Sequence, residues 1–73
     1  MQIYKNLGGD SGVESYEIGT DYIMVEFKKT VRLYTYSYAS AGKEAVELMK
    51  VMAKNGEGLN EYINKYVRDK YVK

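Results

Sequence analysis

The sequence predicts a small α+β domain, a three-stranded antiparallel meander sheet followed by two helices that pack on one face of it (βββαα). Two observations lead to this fold class. Apolar and polar residues alternate in the first half of the chain, as in strands, and apolar residues recur at three- and four-residue spacing in the second half, as in amphipathic helices. Strands grouped before helices are typical of α+β domains.

Composition limits the classes of protein to consider. The 73 residues suffice for one domain with a small core. The chain contains no Cys and no His, which excludes disulfides and the usual zinc sites, so no metal and no other cofactor is expected. Nine tyrosines provide much of the bulky surface available for burial. The net charge of +1 gives no general attraction to nucleic acid or membranes.

Composition also bears on location. A chain without Cys fits a reducing cytoplasm. No run approaches the roughly 20 apolar residues that a membrane helix needs, so no membrane contact is expected. The sequence therefore favours a cytoplasmic protein.

Residues 1–12 are predicted to be a loose lead-in to a single domain that spans residues 13–73. Gly8, Gly9 and Gly12 disfavour regular structure there. The glycines do not indicate a phosphate loop, because no Lys followed by Ser or Thr comes after them. Ile3 and Leu7 are the residues of this segment that could still dock on the core.

The first two strands are predicted from their alternation. Val13–Ile18 forms the first strand, and Gly19 ends it. Residues 22–28 form the second strand and alternate strictly, with one apolar face made of Ile23, Val25 and Phe27.

The third strand, residues 31–38, is expected to be the one around which the rest of the chain packs. Its residues are mostly β-branched or aromatic, which suits a half-buried pleated surface. Tyr34, Tyr36 and Tyr38 lie on one side of it, because side chains alternate across a strand.

Two hairpin registers are compatible with the sequence before this strand. A three-residue turn pairs Glu26 with Arg32 and places the aliphatic side on the core, comprising Val31, Leu33 and Thr35. A two-residue turn places Tyr34 and Tyr36 on the core instead. The first register is favoured because it pairs unlike charges and gathers the aliphatic side chains.

Two helices are predicted after residue 40. The first has Ser40 as its N-cap, runs to about Lys54, stops at Asn55-Gly56 and carries an apolar stripe of Ala41, Ala45, Leu48, Met49 and Met52. The second spans residues 59–71, with apolar positions at Leu59, Tyr62, Ile63, Tyr66 and Val67. The predicted core combines both helices with the second strand and comprises Val25, Phe27, Leu48, Met52, Ile63 and Val67.

Three segments together resemble a known family. They are Tyr34-Thr35-Tyr36, the preceding strand pattern Ile23-Met24-Val25-Glu26-Phe27, and the C-terminal stretch of residues 62–71 with its Asn64, Arg68 and Tyr71. The sequence resembles the KTSC domain, a short module at the C-terminus of some lysyl-tRNA synthetases that also occurs as a stand-alone bacterial protein. The resemblance implies a bacterial or phage source and, from the occurrence beside a synthetase, an RNA-binding role.

The tyrosines of the third strand form the first candidate site. Tyr34 and Tyr36 on an exposed sheet face would be a platform on which unpaired bases stack, and Arg32 would add positive charge beside it. The alternative is that these tyrosines are core or cross-strand packing, which is the commoner use of a half-buried Tyr.

The basic end of the second helix forms the other candidate site. Lys65, Arg68 and Lys70 could contact phosphates, and the KTSC resemblance adds Asn64, which shares a helix face with Arg68. The alternative is a solvated face whose cations complement the helix dipole.

Catalysis is not expected. The chain lacks His and Cys, and its candidate acid–base groups lie on ordinary strand, turn and helix surfaces: Asp21, Glu26, Glu44 and Glu47. The sequence thus predicts a non-catalytic binding module whose partner is single-stranded RNA or tRNA. The alternative is a protein-interaction or self-associating module that binds no nucleic acid.

Overall fold

The described part of the chain forms four strands and three helices. The computed structural model describes residues 1–9, 11–29 and 32–72. One antiparallel sheet has the strand order β1-β2-β3-β4, formed by Gln2–Ile3, Val13–Ile18, Tyr22–Phe27 and Leu33–Ser37. The helices are α1 (Tyr38–Ala41), α2 (Lys43–Asn55) and α3 (Leu59–Tyr62), and α3 continues without a break as a π-helical turn, Ile63–Val67. The predicted α+β class is confirmed, with one strand more than the predicted three.

The additional strand, β1, lies within the predicted lead-in. Its Ile3 pairs with Ser15 of β2, and the Tyr4 amide donates to the Glu14 carbonyl over 3.0 Å. Side-chain alternation turns Tyr4 toward the core, where it is 4% exposed, and leaves Ile3 76% exposed. Leu7 is also exposed. The expectation that Ile3 and Leu7 dock on the core is therefore wrong, and Tyr4 does so instead.

The register between β3 and β4 is the one that was not favoured. Val25 lies opposite Tyr34 and Ile23 opposite Tyr36, whereas Glu26 lies opposite Leu33 rather than Arg32. Two physical terms explain the difference. An exposed ion pair contributes at most about 1 kcal/mol, but burying a large side chain contributes about 1.5–3 kcal/mol. The turn itself, with Thr30 and Val31, lies outside the described residues.

The chain leaves β4 directly into a helix. Ser37 is the N-cap of α1 and forms a reciprocal capping box with Ser40, so the predicted cap at Ser40 is three residues late. Gly42, with φ 97° and ψ 142°, then separates α1 from α2. At its other end α2 stops at Asn55, followed by Gly56 in the left-handed conformation, as predicted.

The break at Gly42 changes which face of α2 is buried. The helix buries Val46, Met49 and Ala53 against the sheet, whereas Leu48 is 43% exposed. The prediction of Leu48 in the core is therefore wrong, because the predicted stripe assumed one continuous helix from Ala41. Val25, Ile63 and Val67 are buried as predicted, and Phe27 and Met52 are partly buried against the core.

The C-terminal helix, by which we mean α3 and its π turn (residues 59–67), is shorter than predicted. It ends at Val67 rather than at Tyr71. The following segment crosses the outer edge of β4, where the Val72 amide donates to the Thr35 carbonyl over 2.6 Å. Within the part of the chain that the structure describes, every helix is too short or too polar to cross a bilayer.

A candidate ligand cleft between β4 and the C-terminal helix

A strict four-residue spacing organises the C-terminal helix. Leu59, Ile63 and Val67 are buried, and each is followed by a polar residue that faces outward, namely Asn60, Asn64 and Arg68. An α-helical turn takes fewer than four residues and a π-helical turn more than four. Residues at a spacing of four therefore shift one way around the axis of an α-helix and the other way around the axis of a π-helix. The two shifts offset each other, so both rows run nearly parallel to the helix axis.

The polar row borders a cleft of about 340 Å³ between β4 and the C-terminal helix, which we call the aromatic cleft. The strands contribute Phe27, Tyr34 and Tyr36, and the remaining lining residues are Asn60, Ile63, Asn64, Arg68, Asp69 and Tyr71. The segment after the helix closes one side, since the bond between Val72 and Thr35 holds it against β4.

The aromatic rings of the cleft hold one another edge to face. The Tyr34 ring lies 5.5 Å from that of Phe27 and 4.8 Å from that of Tyr71, and Tyr71 also meets Tyr36 at 6.3 Å between centroids. Such pairs contribute about 0.5–1.5 kcal/mol each beyond their burial. Tyr34 and the two rings that contact it, Phe27 and Tyr71, therefore form a fixed apolar wall.

The open stacking platform expected from the sequence is not formed. Tyr36 is 1% exposed and part of the core. Tyr38 has left the strand for α1, where its hydroxyl donates to Glu47 and the Lys50 ammonium lies 5.6 Å from the centre of its ring. The face that was expected to present three tyrosines instead packs against the helices, because the register turns Tyr34 and Tyr36 inward.

Burial leaves the Tyr36 hydroxyl as a polar group on the cleft floor. Burial, together with the neighbouring Tyr34, Tyr71 and Asp69, raises the pKa of Tyr36 to about 12. No residue among those described forms a hydrogen bond with this hydroxyl. At neutral pH it is therefore a protonated donor that can serve a ligand.

Further polar groups surround the floor of the cleft. Neither the Asn60 nor the Asn64 amide hydrogen-bonds to another described side chain, and Arg68 forms no ion pair within residues 1–9, 11–29 and 32–72. Asp69 lies beside Arg68 in the lining. The Arg32 guanidinium lies 5.9 Å from the centre of the Tyr34 ring and adds positive charge at the rim.

Four of the seven predicted site residues line this one cleft: Tyr34, Tyr36, Asn64 and Arg68. Arg32 lies at its rim through its contact with Tyr34. Lys65 lines a neighbouring cleft, with its ammonium 5.5 Å from the Tyr66 ring centre, and the exposed Lys70 lines neither cleft.

Sequence reasoning missed Phe27, Asn60, Ile63, Asp69 and Tyr71 as lining residues. A signal for Asn60 was present, because it precedes Asn64 and Arg68 at the same four-residue spacing. Tyr71 had no such signal. It was assigned to a helix, whereas it belongs to an irregular segment that β4 holds in place.

The neighbouring cleft, which we call the polar cleft, has a volume of about 600 Å³ and lies between the N-terminal segment and the start of the C-terminal helix. Asn60 and Asn64 line both clefts, so the two clefts adjoin along the polar row of the C-terminal helix. The other lining residues are Tyr4, Asn6, Gly8, Ser11, Gly56, Glu57, Gly58, Glu61 and Lys65.

The carboxylates considered for catalysis have structural partners or lie apart. Glu26 accepts a hydrogen bond from Ser15 over 2.9 Å, and Glu47 pairs with the buried Lys50 over 2.7 Å. Hydrogen bonds from Lys50 and Tyr38 lower the pKa of Glu47. Among the described residues no three acidic side chains are grouped so that they could hold a metal ion.

No protein-family model matches the chain, and no curated protein or solved structure matches it. What the aromatic cleft can bind is therefore inferred from its own residues and geometry.

Proposed function

We propose that the chain is a non-catalytic binding module that takes one nucleotide of a single-stranded RNA into the aromatic cleft. The observation that carries the proposal is the hydroxyl of the buried Tyr36, which lies on the floor of that cleft and has no hydrogen-bond partner among the described residues. A polar group so placed, among aromatic rings and free amides, is typical of a site that orients a ligand.

The walls of the cleft suit a nucleobase. Its volume of about 340 Å³ falls in the range of small-molecule sites. A base is planar and largely apolar on its faces, and contact with aromatic rings contributes about 1–3 kcal/mol per base. Tyr34, Phe27 and Tyr71 would contact the base, and the Tyr36 hydroxyl with the Asn60 and Asn64 amides would meet its polar edge.

The charges at the mouth suit the phosphate of the same nucleotide. Arg68 has no ion-pair partner among the described residues, and the Arg32 guanidinium lies 5.9 Å from the centre of the Tyr34 ring. A guanidinium binds phosphate through two parallel hydrogen bonds. Affinity would thus come from one base and one or two phosphates, which does not require a strongly basic protein.

The resemblance to the KTSC domain supports the same proposal. Its central Tyr-x-Tyr corresponds to Tyr34 and Tyr36, and its C-terminal signature supplies Asn64, Arg68 and Tyr71. All five residues line the aromatic cleft. We propose on these residues that the chain is related to that family.

A second candidate function is supported by the opposite face of the sheet. Ile3 and Leu33 are 76% and 49% exposed there, and the partly buried Met24 lies between their strands. Exposed apolar side chains on one face are typical of protein-interaction surfaces. Binding of a protein, or of a second copy of the chain, would use this face rather than the cleft.

The charge contribution of Arg68 can be tested by fluorescence anisotropy with a short labelled RNA at several salt concentrations. We expect Arg68→Ala to weaken binding about tenfold and to reduce the salt slope by about one, because one phosphate contact and its counterion are lost. Lys54→Ala removes the same charge from the exposed end of α2, outside the aromatic cleft, and should change neither quantity.

Tyr36→Phe separates the hydroxyl from the ring in the same titration. It should weaken binding several-fold at an unchanged salt slope, because a hydrogen bond is lost but no counterion is involved. Equal losses of RNA affinity for Arg68→Ala and Lys54→Ala would contradict a specific binding site in the aromatic cleft. Absence of RNA binding together with self-association would favour the opposite face of the sheet.

A further inference from the structure

The polar cleft adjoins the aromatic cleft and has the more acidic lining. Glu57 and Glu61 line it, and the one lysine of its lining, Lys65, has its ammonium over the Tyr66 ring. The aromatic cleft has Arg68 in its lining and Arg32 at its rim. An RNA strand that enters from the arginines would therefore meet carboxylates at the far side.

The two clefts adjoin at Asn60 and Asn64, which line both of them. Asn60 lies near Gly12, since a methyl group on Gly12 would lie 3.3 Å from the Asn60 side-chain oxygen. A ligand group that passes these amides leaves aromatic surroundings and reaches hydrogen-bond acceptors. The sugar of a nucleotide held in the aromatic cleft is the group next to its base.

We propose that the combined clefts bind the 3′-terminal nucleoside of an RNA, with its base in the aromatic cleft and its free 2′,3′-diol in the polar cleft. This inference rests on the proposed function. Carboxylates accept hydrogen bonds from ribose hydroxyls, as acidic residues do in dinucleotide sites. The same carboxylates repel a phosphate, so neither a continuing strand nor a 3′-phosphate is accommodated beside Glu57 and Glu61.

The test is a competition titration in which unlabelled RNAs of one sequence displace a labelled RNA that ends in a free diol. A 3′-phosphate should weaken competition by at least about tenfold, and a 2′-deoxy terminal nucleotide by about three- to tenfold, since hydrogen bonds to charged groups are lost. A 5′-phosphate, remote from the polar cleft, should change competition by less than about twofold.

Matched variants identify the residues responsible. Glu61→Gln keeps the size of the side chain and removes its charge. It should therefore reduce several-fold the difference in competing affinity between the 3′-hydroxyl and 3′-phosphate RNAs. Glu44→Gln, an exposed residue of α2 that lines neither cleft, should leave the difference unchanged. Circular dichroism checks that both variants are folded.

The outcomes separate this inference from the proposed function. If all RNAs compete equally while Arg68→Ala still weakens binding, the cleft binds RNA but does not select its 3′ end, and the inference is overturned. If no RNA binding depends on Arg68, the proposed function fails and the inference fails with it. The inference is supported if the 3′-phosphate RNA competes more weakly with the parent protein and this difference disappears in Glu61→Gln.

Discussion

Tyr36 shows at the scale of one residue how burial and function are connected. Its ring fills the core between Ile23 and the helices, while its hydroxyl remains on the floor of the aromatic cleft without a partner among the described residues. The ring therefore contributes to stability, and the hydroxyl is available to a ligand. The substitution Tyr36→Phe removes only the hydroxyl and keeps the ring.

The raised pKa of Tyr36 predicts how stability depends on pH. The pKa is about 12 in the folded chain and 10.0 in the ordinary exposed residue. The folded state therefore keeps this proton at a pH where the unfolded state has lost it. The resulting stability is fully present below pH 10 and is lost as the pH rises toward about 12.

We expect urea denaturation across this pH range to show a smaller loss of stability for Tyr36→Phe than for the parent, because Phe cannot ionise. Tyr22 and Tyr38, whose pKa values are raised by hydrogen bonds to Glu17 and Glu47, contribute equally to both proteins. Tyr66→Phe, with an exposed ring, serves as the control and should follow the parent. Parallel curves for Tyr36→Phe and the parent would show that burial of Tyr36 does not cause the loss.

Gly42 determines the arrangement of the helices at the scale of the elements. Its φ of 97° and ψ of 142° lie in a region that residues with a side chain rarely adopt. The change of direction there separates α1 from α2 and sets which face of α2 meets the sheet. The sequence analysis predicted one continuous helix through this glycine, and the predicted buried stripe wrongly included Leu48.

We expect Gly42→Ala to lower the free energy of unfolding by about 1–3 kcal/mol, the usual cost of a strained backbone conformation. Beyond the neighbouring backbone, no described atom lies within 4 Å of where the new methyl group would be, so the cost is one of conformation rather than of contact. Thermal denaturation should show a melting temperature lower by several degrees. Lys43→Ala at the next, exposed position should melt close to the parent, and an unchanged melting temperature for Gly42→Ala would contradict the assigned role of the glycine.

The C-terminal helix shows which parts of the site could be predicted from sequence. The apolar positions Leu59, Ile63 and Val67 follow from their spacing, Arg68 follows from the basic end of the helix, and Asn64 was added by the KTSC resemblance. The π turn that keeps these rows straight could not be predicted, because a spacing of four residues fits an α-helix nearly as well. The end of the helix at Val67 could not be predicted either, because the residues up to Tyr71 continue a helical pattern. In the structure the contact of this segment with β4 overrides that pattern.

The whole molecule is a three-stranded meander extended at both edges by segments near the chain ends. β1 covers part of the outer edge of β2, and the Val72 amide binds the outer edge of β4 at Thr35. Both additions were missed because segments of one or two paired residues carry no periodicity. They nevertheless help to form the two clefts, since Tyr4 borders the polar cleft and Tyr71 the aromatic cleft.

The choice of register had the largest effect on the predicted site. Two registers were compatible with the sequence, and they differ in whether Tyr34 and Tyr36 face water or the core. Unlike charges at Glu26 and Arg32 favoured the wrong one, because exposed ion pairs contribute little compared with a buried ring. Most of the predicted residues nevertheless meet in one cleft, because the inward register turns the tyrosines toward the row of Asn64 and Arg68.

Backbone amide shifts in a titration of the isotope-labelled protein with short single-stranded RNA test most directly whether the aromatic cleft is the binding site. We expect the largest shifts to cluster at Thr35 and Tyr36 of β4 and at Asn60, Asn64 and Arg68 along the C-terminal helix. Shifts concentrated instead at Ile3, Met24 and Leu33 on the opposite face of the sheet, or no shifts at all, would contradict the assignment of the cleft.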